Sequence, residues 1–244
     1  MERIVVFLIG LCVGSFANVL IDRLPNGESV VWGRSRCDWC KRTLRWYELI
    51  PVMSFVVQGG RCLRCNKILS VQYPFIELVT AIGFVALTPH PISSYVLFIS
   101  LLVIFVADLK YQIIPDSMIV LGCIAAALRW LELRMPGAGI MQYAVTGLIS
   151  FAVFYLIWAI TRGKGMGLGD VKFALFMGLF LGFPGVVFAF YIAFLTGAFA
   201  GVILMLGRHK TWKSKIAFGP FLVLGTVVAI LWQPQLTAVW RMFV

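Results

Sequence analysis

Long apolar runs alternate with short polar stretches along most of this chain. Eight such runs, each bounded by charged residues, glycine or proline, lie at about 4–21, 73–88, 93–108, 117–133, 140–161, 171–183, 185–206 and 216–234. Runs of this length and composition are typical of helices that cross a bilayer. The pattern therefore predicts an all-α polytopic membrane protein with about eight transmembrane helices. The short sixth run is either a tilted or re-entrant helix or one of two full spans joined to the seventh by a tight turn.

Composition supports this fold class and limits the partners. The chain is 61% hydrophobic and 13% charged, with a mean hydropathy of +0.96, which excludes an ordinary soluble domain. Its 21 Lys and Arg against 10 Asp and Glu indicate cytoplasmic loops that face anionic lipid. No nucleic-acid-binding motif competes with this interpretation, so nucleic acid is not expected as a partner. The first run lacks a small-residue cleavage site after it and is expected to be a retained helix.

The basic residues also predict the orientation. If residues 22–72 are cytoplasmic, alternation places 109–116, 162–170 and 207–215 on the same side. Seventeen of the 21 Lys and Arg then lie inside, counting Lys172 just within the sixth run. Such an excess is what the positive-inside rule requires, and it puts both termini outside. It also places Asp108 and Asp170, which border apolar runs, on the cytoplasmic face.

Residues 22–72 form a soluble insertion that is too short to build a sizeable core, so a stabilising cross-link is expected. Two CxxC pairs can supply it: Cys37 with Cys40 and, after 21 residues, Cys62 with Cys65. This spacing is typical of a tetrahedral four-cysteine zinc site. Two disulfides or free thiols are the alternative, and a reducing cytoplasm disfavours the disulfides. Four protein ligands leave no open position, so the zinc is expected to be structural.

Asp108 and Asp170 are the leading candidates for chemistry. Asp108 closes the third apolar run and Asp170 opens the sixth, where a carboxylate is costly. Two carboxylates at one membrane face can share a proton and act as acid and base. The structural alternatives are an ion pair of Asp108 with Lys110 or Arg162, or its snorkelling at a helix end, and an N-terminal helix cap at Asp170.

A glycine-rich stretch, residues 163–170, leads into Asp170. It does not match a phosphate-binding loop, which would end in Gly-Lys-Ser/Thr. Gly167 and Gly169 would let an extended substrate lie against the main chain, since glycine permits close approach. Lys172 either tunes the local field or extends its amine to the interface. The alternative is a flexible loop.

For several other candidate residues a structural role explains the sequence at least as well as a functional one. Asp116 follows a proline and is expected to cap the 117–133 helix. Glu77, about one turn into the second run, is structural and paired with an arginine of the insertion, or part of a second active site. Cys12 and Cys123 lie within apolar runs and are expected to be small core residues.

Taken in order, these motifs resemble the bifunctional type IV prepilin leader peptidases over nearly the full chain. Each element alone is weak, whereas the ordered set is specific. The elements are Gly14-Ser15-Phe16-Ala17-Asn18-Val19, Arg23-Leu24-Pro25, the four cysteines, Trp46-Tyr47-Glu48-Leu49-Ile50-Pro51, Tyr73-Pro74 with Glu77, Asp108 with Pro115-Asp116, and Gly167-Leu168-Gly169-Asp170-Val171-Lys172.

The resemblance implies an aspartic endopeptidase of the bacterial inner membrane with Asp108 and Asp170 as its catalytic pair. Such an enzyme removes the leader of a prepilin or pseudopilin after a glycine at the cytoplasmic face. It then methylates the new N-terminal amine with S-adenosylmethionine, and Glu77 is the candidate residue for that second site. The substrate's apolar helix and anionic lipid are the implied partners.

The domain organisation that follows has three parts. Residues 1–21 are the first transmembrane helix, residues 22–72 are the methyltransferase-associated zinc insertion, and residues 73–244 are the transmembrane peptidase domain. Two other functions stay open. A presenilin-like protease also uses a Gly-x-Gly-Asp motif, although it would not explain the four cysteines. A non-enzymatic secretion or transport component would need aspartates that face a pathway open to both sides.

Overall fold

The structure is a computed structural model, and it describes residues 1–206, 217–233 and 235. In this part of the chain the regular elements are helical and no strand forms, so the predicted all-α class is confirmed. Two isolated antiparallel bridges occur within the insertion. The predicted loop 207–215 lies outside the described residues, as do residues 216 and 234 of the last apolar run.

Nine helices are found in the described ranges, and eight of them fall on the eight predicted apolar runs. The ninth is a short helix inside the insertion, which follows a 3₁₀ turn at Trp46–Leu49. The helices are α1 (Glu2–Arg23), α2 (Met53–Val57), α3 (Gln72–Ala86), α4 (Ile92–Tyr111), α5 (Asp116–Glu132), α6 (Gly137–Ile160), α7 (Leu168–Leu181), α8 (Gly185–Leu206) and α9 (Gly219–Leu231).

Four helices in the described part of the chain are long and apolar enough to cross a membrane, namely α1, α4, α6 and α8. Two further apolar helices, α3 and α9, are shorter. The sixth and seventh runs form separate helices, and α7 has only 14 residues. At 1.5 Å per residue it is about 21 Å long, less than the ~30 Å hydrocarbon core. A multi-pass membrane protein is thus confirmed, whereas the number of eight spans is not established.

The chain divides into two compact units, Met1–His90 and Pro91–Val244. This division differs from the three-part division drawn from the sequence, which stays a prediction. Unit 1 contains α1, the insertion and α3. Unit 2 contains α4 to α9.

In unit 1, α1 and α3 pack through glycines spaced four residues apart. A Cβ added to Gly10 would lie 2.6 Å from Cα of Ala81, and one added to Gly14 would lie 2.7 Å from Cα of Glu77. This is the close small-residue packing of membrane helices. The numbers rise on α1 as they fall on α3, so the two helices are antiparallel. The packing brings Glu77 directly against α1.

In unit 2, α7 is the most enclosed helix. Its buried residues include Asp170, Val171, Phe173, Ala174, Phe176, Met177, Gly178, Phe180 and Leu181. The backbones of α6 and α7 approach closely where Gly147 meets Gly178, since a Cβ on Gly178 would lie 2.6 Å from the Gly147 Cα. Protein surrounds α7 on several sides, which explains how a helix with a carboxylate and a lysine in its first two turns fits an apolar bundle.

Candidate functional site

Asp108 lies near the end of α4, and only 5% of its surface is exposed. Its Oδ2 accepts a hydrogen bond of 2.9 Å from the main-chain N–H of Gly219, at the start of α9. A Cβ on Gly219 would lie 2.6 Å from that same oxygen. Only glycine therefore lets the α9 main chain approach this carboxylate.

Asp170 is the third residue of α7, and 9% of its surface is exposed. Its Oδ2 accepts a hydrogen bond of 3.1 Å from the N–H of Gly167 at the N-cap position. The first turn of a helix favours a carboxylate because unpaired N–H groups gather there. The predicted capping interaction of Asp170 is therefore present, and the side chain serves the helix whatever its chemical role.

The fold brings Asp108 and Asp170 together. Their carboxyl groups lie close enough to interact electrostatically. Ile114, 8% exposed, contacts both neighbouring main chains: a Cβ on Gly169 would lie 3.0 Å from its Cβ, and one on Gly219 would lie 3.2 Å from its Cδ1. Sequence reasoning missed Ile114 and Gly219. Two carboxyl groups that interact in this way can differ in protonation and serve as base and acid.

The neighbouring charges pair in a way that the sequence did not predict. The amine of Lys172 contacts both carboxylate oxygens of Asp116, at 2.8 and 2.7 Å. The expectation that Asp116 caps its helix was wrong. The helix begins at Asp116, but Pro115 holds the N-cap position and no side-chain capping bond forms, because the carboxylate binds Lys172 instead. This pair joins the N-terminal parts of α5 and α7.

Glu77 belongs to unit 1, and 7% of its surface is exposed. Its Oε2 accepts a hydrogen bond of 2.7 Å from the main-chain N–H of Val52, and Ser15 of α1 supplies a side-chain hydrogen bond. Val52 has a φ of +60°, which is unusual for a β-branched residue. The sequence predicted an arginine of the insertion as the structural partner of Glu77, whereas the structure places the main-chain N–H of Val52 there instead.

The four cysteines of the insertion converge in unit 1. Their sulfur atoms all lie within 4.8 Å of one another, with Cys37 to Cys65 at 3.9 Å and Cys40 to Cys62 at 4.0 Å. Zinc–sulfur bonds of about 2.3 Å in a tetrahedron separate the sulfurs by roughly 3.8 Å. None of the four forms a disulfide. The donor set and its spacing therefore fit a tetrahedral metal ion.

The two CxxC pairs are built as copies of one turn. Antiparallel bridges pair Arg36 with Thr43 and Arg61 with Ile68, so each encloses one pair at the same register. The turn residues Lys41 and Asn66 have matching φ values of +55° and +57°. The sequences of the two turns, Arg-Cys-x-x-Cys-x-x-x-Leu, show the same repeat. A repeated turn presents four sulfurs as two equivalent pairs.

Local electrostatics differ within the cluster. Main-chain hydrogen bonds from Cys65 and Arg64 lower the pKa of the Cys62 thiol to about 6. Burial raises the pKa of the Cys37 thiol to about 11. A bound metal ion would deprotonate both thiols despite this difference in pKa, since ligation requires the thiolate form of each cysteine.

Two side chains whose contacts the sequence did not predict connect the cluster to the rest of unit 1. Arg42 forms a side-chain hydrogen bond to Cys62 and an ion pair with Glu48, whose side chain is only 1% exposed. The hydroxyl of Tyr73, on α3, lies 3.1 Å from an oxygen of Asp38, between the first two cysteines. The geometry of the cluster is therefore linked both to the 3₁₀ turn and to α3.

These features define a multi-pass helical membrane protein with a buried pair of carboxyl groups and a four-cysteine cluster. Two family models match the chain: the bacterial peptidase A24 N-terminal domain over residues 8–90, and the type IV leader peptidase family over residues 95–202. The boundary between the two matches falls where the structure divides into its two units.

Several curated proteins named prepilin leader peptidase/N-methyltransferase are similar to this chain. The Bacillus subtilis protein is 35% identical, with 93% of each chain covered. The Pseudomonas aeruginosa protein is 30% identical over 97% of this chain and 92% of its own. The Myxococcus xanthus protein is 34% identical over 84% of this chain, which spans 63% of that longer relative. No solved structure matches the chain significantly.

The chain belongs to the type IV leader peptidase family. The resemblance, the enzyme class and the prepilin-processing function predicted from the sequence are thereby confirmed at the level of the family. The comparisons assign no role to individual residues, so the catalytic pair, the metal ligands and the methyl-transfer residue stay predictions.

Proposed function

We propose that this chain is a membrane aspartic endopeptidase that removes the leader of a type IV prepilin or pseudopilin after a glycine and N-methylates the new N-terminal residue. The observation that carries the proposal is the buried pair Asp108 and Asp170. These residues are 62 positions apart in the sequence, and α4 and α7 bring them together. The names of the relatives support both activities.

The two carboxyl groups can hydrolyse a peptide bond by acid–base catalysis. One carboxylate accepts a proton from water as the water attacks the scissile carbonyl, and the other carboxyl group donates a proton to the developing oxyanion or the leaving amine. The two groups titrate as a unit, so the roles belong to the pair. The N–H of Gly219 fixes one oxygen of Asp108, which leaves its second oxygen for water.

The glycine-rich stretch positions the substrate in this proposal. Gly169 lets Ile114 pack directly on the main chain beside Asp170, and Gly167 donates its N–H to that carboxylate, so the two glycines shape the stretch on which the substrate would lie. Lys172 is held by Asp116 at the same end of the unit and sets the local charge. The substrate's apolar helix would lie in the bilayer and deliver its scissile bond to the water boundary.

The eight-span arrangement is the topology that this proposal requires. It takes α1 and α3 to α9 as spans and places residues 22–72 and both aspartates at the cytoplasmic face of the bacterial inner membrane. The placement of 17 of the 21 Lys and Arg on that side supports it, and anionic lipid is the natural partner of those residues. Accessibility of single introduced cysteines from each side of inverted and right-side-out vesicles tests the orientation.

A structural zinc ion bound by Cys37, Cys40, Cys62 and Cys65 completes the insertion in this proposal. The sulfur separations support it, and zinc would supply folding stability to an insertion that is too short to build a sizeable core of its own.

Methyl transfer is assigned to unit 1, with Glu77 as its candidate residue. S-adenosylmethionine supplies an electrophilic methyl group when bound. Glu77 is a buried carboxyl group for which no ion pair with a lysine or arginine is found among the described residues, which suits a partner that brings its own positive charge, such as a cationic methyl donor or an ammonium group. Its carboxylate could accept the proton that the substrate amine loses.

Mass spectrometry of a model prepilin incubated with membranes and methyl donor tests both activities at once. Wild type is expected to yield the shortened pilin plus one methyl group. Cleavage that persists in both folded Asp108→Asn and Asp170→Asn variants would return the aspartates to a structural or transport role. Cleavage within the substrate's transmembrane helix would instead indicate a presenilin-like protease.

A further inference from the structure

Residues 46–57 of the insertion have their charge inside and their apolar side chains outside. Glu48 is the only charged residue in the segment, and its side chain is only 1% exposed, where it binds Arg42. The large apolar residues are open to the surroundings, with Trp46 at 77%, Met53 at 63% and Val57 at 80%. This arrangement is the reverse of a segment that faces water.

The apolar side chains are continuous along the segment. The helix α2 has no buried residue, and Met53, Val56 and Val57 lie on one face because they are spaced three and four residues apart. Leu49 and Ile50 extend the exposed surface toward Trp46, at 40% and 42% exposed. An apolar surface of this kind marks a contact with another apolar phase.

The contact with Glu77 sets the level of the segment relative to the helix pair. The N–H of Val52 reaches Glu77, which lies five residues, or about 8 Å along the axis, beyond the start of α3 at Gln72. At that level α3 packs on Gly14 of α1, which is a candidate membrane span. The middle of the segment therefore lies beside the shafts of these helices and not beyond their ends.

The charges around the segment complement an anionic surface. Arg45 precedes it and Arg61 follows it, and both are exposed, as are Arg64 and Lys67. Residues 22–72 hold nine Lys and Arg against four Asp and Glu. Basic residues next to a membrane helix attract anionic lipid headgroups, and tryptophan prefers the bilayer interface.

We propose that residues 46–57 form an interfacial segment that places its apolar side chains among the acyl chains of an anionic phospholipid bilayer. Glu77 holds the main chain at this depth through Val52, and the flanking arginines lie at the level of the headgroups. The insertion is then partly embedded in the membrane surface and is not a detached soluble domain. This inference concerns unit 1 alone and does not depend on either enzymatic activity.

Spin-label accessibility in the full chain tests the proposal. Cys12 and Cys123 are replaced by alanine, the four clustered cysteines are kept loaded with zinc, and a single nitroxide is attached through Val57→Cys. Val31→Cys is the matched control, because Val31 is 78% exposed, apolar and in the same insertion but outside the segment. The protein is reconstituted in phosphatidylcholine vesicles with or without phosphatidylglycerol.

The expected result is a shift of the label at 57 toward collisions with oxygen and away from a water-soluble nickel chelate, relative to the label at 31. Phosphatidylglycerol should increase that shift. Glu77→Ala should reduce it while zinc content is unchanged, which separates loss of depth from loss of folding. Equal collision rates at 57 and 31 would overturn the proposal. Protection at 57 from both reagents would also overturn it and indicate a protein contact, such as a second copy of the chain.

Discussion

The main-chain N–H of Gly219 donates a hydrogen bond to the buried carboxylate of Asp108, although the two residues are 111 positions apart. The contact joins the end of α4 to the start of α9. It fixes one oxygen of the Asp108 carboxyl group. The orientation of this group toward Asp170 therefore depends on how closely α9 packs. The site is therefore defined by three helices and not by the two aspartate motifs alone.

Replacement of either aspartate should abolish leader cleavage while the fold persists. Asp108→Asn keeps an oxygen that can accept from Gly219, and Asp170→Asn keeps one for Gly167, so both helices retain their contacts. Loss of one member of an acid–base pair lowers the rate by about 10² to 10⁴-fold or more. Cleavage is measured by mass spectrometry of a model prepilin.

Asp116→Asn is the matched control for these two variants. Asp116 is an aspartate in the same unit, but it is exposed and pairs with Lys172 outside the buried pair. Exposed ion pairs contribute about 0–1 kcal/mol, so cleavage should fall only slightly. Methylation of a pre-cleaved substrate should continue in both the Asp108→Asn and Asp170→Asn variants. Loss of methylation would indicate that the whole protein is misfolded.

Gly219→Ala should impair cleavage without removing any chemical group. The added Cβ would lie 2.6 Å from Oδ2 and 3.0 Å from Cγ of Asp108, so the carboxylate or α9 must move. A displacement of about 1 Å at a reacting group can cost ~10²-fold in rate. Gly137→Ala is the control, because nothing lies within 4 Å of the added Cβ. Equal activity of the two variants would show that the Gly219 contact does not position Asp108.

Removal of one clustered cysteine should release zinc and impair methylation more than cleavage. Cys62→Ser leaves three sulfur ligands and disturbs Arg42, which also binds Glu48 in the insertion. Asp108 and Asp170 both belong to unit 2. Zinc is measured by elemental analysis, and both activities are measured on the same sample. Cys12→Ser is the control; an equal fall in cleavage and methylation would contradict the separation.

The metal-stripped protein should show unequal thiol reactivity at neutral pH. Cys62, with a pKa lowered to about 6, is mostly thiolate at pH 7, whereas Cys37, with a pKa raised to about 11, is protonated. Only the thiolate is nucleophilic, so an alkylating reagent should modify Cys62 first. Lowering the pH through 6 should remove that preference. The rates are followed by peptide mass spectrometry, and zinc should protect both residues.

Local sequence signals predicted the helices because each apolar run carries its own evidence of length and hydrophobicity. They also predicted the cysteine cluster, since two CxxC pairs constrain their sulfurs within short turns. The number of spans could not be settled in the same way. The 14 residues of α7 are too few for an ordinary span, and α5 and α6 pack against them through Gly122 and Gly147.

Contacts between distant residues escaped the sequence. Asp116 has the sequence of a helix cap, yet its carboxylate binds Lys172, which lies 56 residues later. Val52 belongs to the insertion, and its N–H donates a hydrogen bond to Glu77 on α3, which lies 25 residues later. Such partners carry no local signature because they are selected by helix packing.

The sequence by itself determined the fold class, the clustering of the four cysteines and the choice of the two aspartates as candidates, because hydropathy and short-range spacing encode them locally. Only the tertiary structure decided that Asp108 and Asp170 come close enough to interact, that Gly219 binds Asp108 while Ile114 packs on Gly169 and Gly219, and that residues 46–57 expose their apolar side chains beside α3. These depend on which glycines let helices approach and on where buried carboxylates find N–H donors. Those relationships exist only once the chain has packed.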